Sequence, residues 1–302
     1  MKMLPTPHLA KINAAINNNK VNAAGKEVLR ELLNVYNKWI SDMSAAEGSR
    51  DEIVTQLVSL LNDYKYHVDF NVIFNSEVDF LYRQKGQLKL DNTIIEEFLP
   101  HLVSKAFPEL SDLSLGPTGC FSDAYFTSSL TSTSHGGAIH IRKKNQDFAI
   151  SKKLYIKTSH QADFQLNEQV ETFIGYVTAE CKTNLDKTMF QEASATAHDV
   201  KMAVPRAKYF LMCEWLDMTP VSTASTDIDE VLLLRKSKRM GAGDRNQFSS
   251  IEGRREKADW YSEFLTNNPY QVDVFQRFIN YIDELVNEAE PEENAAIQNG
   301  FF

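Results

Sequence analysis

Apolar positions recur at helical spacing through the first third of the chain. Ala23–Ile40 places Val28, Leu32, Val35, Tyr36 and Trp39 on one stripe, and Arg50–Leu61 does so with Ile53, Leu57, Leu60 and Leu61. Asn17-Asn18-Asn19 is a polar break, and Asp91-Asn92-Thr93 offers a cap for a helix that opens at Ile94 and carries Pro100 near its start. The pattern then changes. Leu113–His135, rich in Gly, Ser, Thr and Pro, predicts a long loop. Three short strand-like runs follow, Ala138–Ile141, Asp147–Ile150 and Lys153–Ile156, and then the apolar β-rich run Phe173–Thr178. Lys187–Val204 predicts a helix ended by Pro205; Tyr209–Trp215 and Glu230–Leu234 predict buried strands. Met240–Arg255 predicts a flexible basic loop, and Val272–Asn287 a final helix with Val274, Phe275, Phe278, Ile282 and Leu285 on its apolar stripe. The order implies an α/β fold, a mixed central sheet flanked by helices, with an added N-terminal helical region. We divide it into a helical region over 1–90, a core over 91–287 and an acidic tail over 288–302, the tail loosely docked or disordered.

Composition narrows the class. With 43% hydrophobic and 24% charged residues the chain is an ordinary globular protein. It has no apolar run near the ~20 residues of a membrane span, and its N-terminus lacks the apolar centre of a signal peptide. Cys120, Cys181 and Cys213 are too widely spaced for a zinc site or a disulfide framework, which suits a reducing cytoplasm. The net charge of −9 argues against a nucleic-acid partner until its placement is considered. Six acids (Asp283, Glu284, Glu288, Glu290, Glu292, Glu293) fall after Tyr281 with no Lys or Arg, and removing them leaves −3 for a remainder that carries several basic clusters.

The candidate chemistry lies in Glu180-Cys181-Lys182. In a strand, Glu180 and Lys182 share one face and Cys181 the other. Glu-x-Lys is half of the nuclease pattern P-D…(D/E)-x-K, in which two carboxylates and a main-chain carbonyl hold Mg²⁺ and a lysine orients the attacking water. The carbonyl of Cys181 would be the third ligand, its thiol inert. The first carboxylate is open between Asp147, at the head of an apolar strand, and Asp163, in a turn-like stretch. Glu97 is a further acid that a helix could turn inward. His135, His140 and His198 have no second ligand at a useful offset, and no Ser-His-Asp set or glycine-rich phosphate loop stands out.

Two longer motifs carry a resemblance. Glu180-Cys181-Lys182-Thr183-Asn184-Leu185-Asp186-Lys187 with Met189, and Asp227-Ile228-Asp229-Glu230-Val231-Leu232-Leu233-Leu234-Arg235-Lys236-Ser237-Lys238-Arg239, together with the opening Pro7–Ala14, resemble the BbvCI-like type II restriction endonucleases of the PD-(D/E)xK superfamily. The resemblance spans about residues 5–240. It implies a subunit of a heterodimer of two related chains, each cutting one strand of a short asymmetric CCTNAGC-like duplex site with Mg²⁺. It implies Asp147, Glu180 and Lys182 as catalytic residues, and Asp147, Glu180, Cys181 and Glu97 around the metal. Asn184, Lys187, Arg235, Lys236, Lys238 and Arg239 are the expected DNA contacts. The Asp147–Glu180 segment is longer than the pattern usually allows, and Cys181 replaces a branched aliphatic. The alternatives are a DNA-binding partner subunit without catalysis, or a repair-type nuclease of low specificity on the same core.

Overall fold

The computed structural model describes residues 3–288 and 292–300. Its helices are α1 Pro7–Ile16, α2 Ala23–Ala45, α3 Arg50–Tyr66, α4 Asp79–Arg83, α5 Lys85–Leu88 and α6 Thr93–Ala106, with a π-helical stretch His67–Phe74 continuing α3. The strands β1 Ser114–Phe126, β2 Ile139–Thr158 and β3 Glu168–Leu185 come next. After them run α7 Lys187–Ala203, β4 Lys208–Leu216, β5 Glu230–Lys238, α8 Ala242–Gln247, α9 Ile251–Glu256, α10 Ala258–Asn267, α11 Val272–Val286 and α12 Glu293–Asn299. Five strands form one sheet in chain order, antiparallel over β1-β2-β3 and parallel over β3-β4-β5, with α7 as the β3–β4 crossover. No helix among the described residues is long and apolar enough to cross a membrane.

Alternation along the strands splits the core in two. One sheet face (Phe148, Ile150, Val177, Ala179, Phe210, Met212, Leu232, Leu234) packs on α6 and α11. The other (Tyr209, Leu211, Cys213, Leu185) is covered by Phe190, Ala193, Ala197 and Val200 of α7. The first core does not stop at residue 90. Leu29, Leu32, Leu57 and Leu61 of α2 and α3 belong to the same buried cluster as Phe98, Phe275 and Phe278. The N-terminal helices therefore pack as a wall of the sheet domain.

Five expectations are corrected. Leu113–His135 is mostly strand, since β1 pairs with β2 from Ser114↔Ser151 to Phe126↔Ile139, and only the segment beyond Phe126 is loop. A Gly- and Ser-rich stretch forms a strand when a long neighbour offers an unpaired edge. The three short runs over 138–156 are a single strand, β2. The charges between them lie on solvated parts of a ribbon, where they do not interrupt pairing. Met240–Arg255 is not a loop but α8 and α9, pinned by the buried Arg254, which donates to Phe74 O at 3.0 Å, Phe248 O at 3.1 Å and Asp79 Oδ1 at 2.9 Å. A Cβ on Gly253 would meet Gln247 O at 1.9 Å, so this corner requires glycine. In the tail, Glu293–Asn299 forms α12, while Glu290 and the C-terminal pair Phe301-Phe302 lie outside the described residues. Pro100 lies in the middle of α6 rather than near its start.

The start of α1 is held by a buried acid on α6. Thr6 makes no side-chain cap; Glu97 accepts instead from the His8 amide at 2.7 Å and the Leu9 amide at 3.2 Å, with Tyr36 Oη donating to its other oxygen. This places a carboxylate at a positive helix terminus. The His8 ring is fully buried against Tyr64 Oη at 2.7 Å and Thr93 Oγ1 at 3.2 Å. Burial, helped by the Lys65 charge, pulls its pKa down to about 3. The folded state thus excludes the proton that the unfolded chain binds below about 6.5. Stability contributed by neutral His8 should be complete above that value and decline as pH falls toward 3. Urea midpoints measured between pH 7 and pH 4 should drop more steeply for the natural chain than for His8→Gln, which lacks this linkage.

Candidate active site

The β2–β3 ladder runs antiparallel from Thr158↔Glu168 to Phe148↔Ala179, and there β2 and β3 part. At the next position the Asp147 side chain takes over the pairing: the Cys181 amide donates to Asp147 Oδ2 at 2.8 Å. Glu180 and Lys182 flank that amide on β3. Lys182 Nζ meets Glu180 Oε1 at 2.5 Å, and Tyr209 Oη on β4 donates to Glu180 Oε2 at 2.9 Å. Two carboxylates and an ammonium thus converge where β2 parts from β3, beside the middle of the parallel β3–β4 pair, with Glu180 in register with Leu211.

The electrostatics record the crowding. Burial and the charge of Glu180 raise the Asp147 pKa, against the pull of the Cys181 amide. Glu96 of α6 joins them: burial and the Asp147 charge push its pKa up to about 7. Burial works against the Lys182 ammonium, but Glu180 and Asp147 outweigh it and its pKa rises. The site therefore presents carboxylates in excess of local cations, an arrangement that a divalent cation would relieve. Among the described residues no three His, Cys, Asp or Glu side chains are already closed into a metal cage. A cation here would rest on the Asp147 and Glu180 carboxylates, a main-chain carbonyl and water, a donor set that suits a hard ion. Burial and the neighbouring carboxylates push the Cys181 thiol well above its ordinary range.

The group opens into a cleft of about 660 Å³ whose lining includes Glu96, Asp147, Cys181, Lys182 and Asn184 at one end and Tyr82, Lys85, Arg245 and Phe248 at the other. Several expected residues lie elsewhere. Asp163 sits at the tip of the β2–β3 hairpin, where it accepts from the Gln165 amide, ten ladder positions or about 30 Å from the splay. The long Asp147–Glu180 spacing is this protruding hairpin. Glu97 is spent on the cap of α1, and its neighbour Glu96 is the helix acid that faces the cleft. Arg235 is buried in a network with Glu214 at 3.3 Å and Asp69 at 3.7 Å, donates to Asn268 O at 2.7 Å, and lies over the Tyr270 ring. It cannot reach DNA. Lys236 turns to Asp273 on α11. Arg239 does line the cleft, paired with Asp217 at 2.6 Å, while Lys187 and Lys238 are exposed. His135, His140 and His198 are all outside the cleft; His198 pairs with Asp227 at 2.7 Å. Sequence reasoning missed Glu96, Tyr209 and Lys89. Only for Glu96 was there a signal, the one-residue ambiguity of a Glu-Glu pair on a helix.

A sequence profile of the Bpu10I restriction endonuclease family matches residues 87–302. A solved structure described as the native BbvCI A2B2 tetramer at low resolution is similar in fold, with a TM-score of 0.55 at 20% identity over 89% of this chain and 100% of that chain. No curated protein matches the chain.

Moving Arg235 out of the DNA-contact set has a measurable consequence. Arg235→Ala should destabilise the fold by ~3–5 kcal/mol, because it leaves Glu214 and Asp69 to share the single cation Lys65 in a dry site. Lys238→Ala should change stability by less than ~0.5 kcal/mol. Urea unfolding of the two variants compares them directly.

Proposed function

This chain belongs to the Bpu10I restriction endonuclease family, and from that premise we propose that it is the Mg²⁺-dependent subunit that cuts one strand of a short asymmetric duplex of CCTNAGC-like pattern, alongside a related second subunit. The observation that carries the reading is the meeting of Asp147, Glu180 and Lys182 at the β2–β3 splay, with the Cys181 amide locking Asp147 in place. Asp147 and Glu180, with the Cys181 carbonyl, would hold a divalent cation, which would polarise the phosphodiester and acidify a water. The protein's own groups do the rest. Asp147 and Glu180 fix where the scissile phosphate sits. Tyr209 fixes the Glu180 rotamer by donating to Oε2, leaving Oε1 facing Lys182. Lys182, held as a cation, orients the nucleophile and stabilises charge growing on the phosphoryl oxygens. Its raised pKa suits this electrostatic part better than that of a general base at neutral pH. Glu96, pushed up to a pKa of about 7 and so exchanging its proton near neutrality, lies beside Asp147 and would lose that proton when the cation is bound. Asn184, Lys187, Lys238 and Arg239 are the remaining expected contacts to DNA, with 91–287 as nuclease core and 1–90 as an accessory wall.

The chain is mixed with its partner subunit and a supercoiled plasmid bearing the site. Glu180→Ala should convert linear product into nicked circles, with cutting of its own strand down by at least ~10²-fold. Undiminished double-strand cleavage would rule the assignment out. Lys182→Ala and Asp147→Asn should behave alike, and a chelator should stop cleavage by the natural enzyme.

A further inference from the structure

The buried cations of this protein carry anions. Lys65 holds Asp69 and Glu214, Arg235 holds Glu214, and Arg254 holds Asp79. Three cations on the cleft make no such salt bridge among the described residues. Lys85 on α5 lies with its ammonium 4.5 Å from the Tyr82 ring centroid and has no carboxylate in salt-bridge range among the described residues. Lys89 ends α5 in a left-handed conformation, φ 53°, and its charge stabilises both Glu96 and Asp147 as anions. Arg245, from α8 far along the chain, presents a buried Nε with no acceptor.

Leaving an N–H dry and unpaired is unfavourable, and so is a half-dry ammonium without a salt bridge. Burial does lower the Lys85 pKa, with Asp91 and Asp69 opposing and Lys65 and Arg239 adding to the effect. Such groups persist where an anion arrives during function. The cleft supplies the geometry: Lys85, Lys89 and Arg245 line the same trough as Glu96, Asp147 and Lys182, with Asp69 and Asp91 also on its wall.

We propose that Lys85, Lys89 and Arg245 form a phosphate clamp, gripping the backbone of the cut strand at the phosphates next to the scissile one. This rests on the nuclease reading above. It also gives the N-terminal helices a task, since α5 carries two of the three groups. The forked guanidinium suits two phosphate oxygens at once and the lysines act as point charges.

The test uses the full chain with its partner subunit and a cognate duplex, with EDTA present to prevent cleavage. Binding is followed by fluorescence anisotropy from 50 to 300 mM KCl. The slope of log affinity against log salt should fall by about 2–3 in Lys85→Met/Lys89→Met/Arg245→Met, at about 0.9 per lost contact. Lys85→Arg/Lys89→Arg should keep the natural slope. A neutral methylphosphonate beside the cleavage position should weaken the natural enzyme about tenfold and the triple variant hardly at all, which separates backbone contact from capture of free phosphate. An unchanged slope, or equal weakening of both proteins, overturns the clamp. If the triple variant fails to fold, each single Met variant should lose about 0.9, and no loss in any of them is equally fatal. A natural enzyme that neither binds nor cuts duplex DNA overturns the nuclease reading instead.

Discussion

Four charges buried together hold the cleft in shape. Lys65 of α3, Asp69 of the π-helical stretch, Glu214 of β4 and Arg235 of β5 come from both sides of the molecule and meet in one dry network. Two cations face two acids, so the network is neutral, and the Asn268 carbonyl and the Tyr270 and Trp215 rings occupy the rest of the arginine's surface. Desolvating four ions offsets most of their attraction, so a hydrophobic substitute could hold the walls together as tightly. What the network contributes is a unique relation between helices and sheet, because no other register pairs all four. Lys65, Asp69 and Glu214 form the floor of the cleft, so that relation sets where α5 stands against the splayed strands.

The β2–β3 splay follows the opposite logic. At the quartet, every charge has a partner; at the β2–β3 splay, Asp147 and Glu180 share Lys182 while Glu96 stands beside Asp147. The sheet tolerates this because the Cys181 amide and Tyr209 hydroxyl compensate two of the acids, and the third binds a proton near neutrality. Such local disfavour, held by a rigid surround, is how a fold keeps a place ready for a cation and a phosphate. The same contrast separates Glu97 from Glu96. One faces a helix terminus and is satisfied; the next residue is turned by about 100° and faces the cleft.

Much of this was readable without coordinates. The 3.6-residue stripes of α2, α3 and α11, the apolar strands β4 and β5 and the Glu-x-Lys at the end of β3 all depend on short-range periodicity, which the chain displays directly. The family likeness was likewise legible, read over about residues 5–240 from two long motifs, and the family profile matches residues 87–302. Strand β1 was not legible, because its Gly- and Ser-rich residues have weak strand preference and only the edge of β2 makes them a strand. Nor was the role of Arg235: a basic run at a strand end looks the same whether its first member points to solvent or into a buried pair.

The sequence by itself determined the alternation of elements, the identity of the Glu180–Lys182 pair and the class of chemistry it suits, since these are properties of neighbours along the chain. The tertiary structure alone decided which distant acid stands beside that pair, which cleft cations make no salt bridge among the described residues, and that the N-terminal helices share the sheet's core. The reason is physical. Periodicity is local, whereas burial and charge pairing depend on strand register and helix placement, and a hairpin can carry Asp163 about 30 Å away while drawing Asp147, farther off in sequence, into contact.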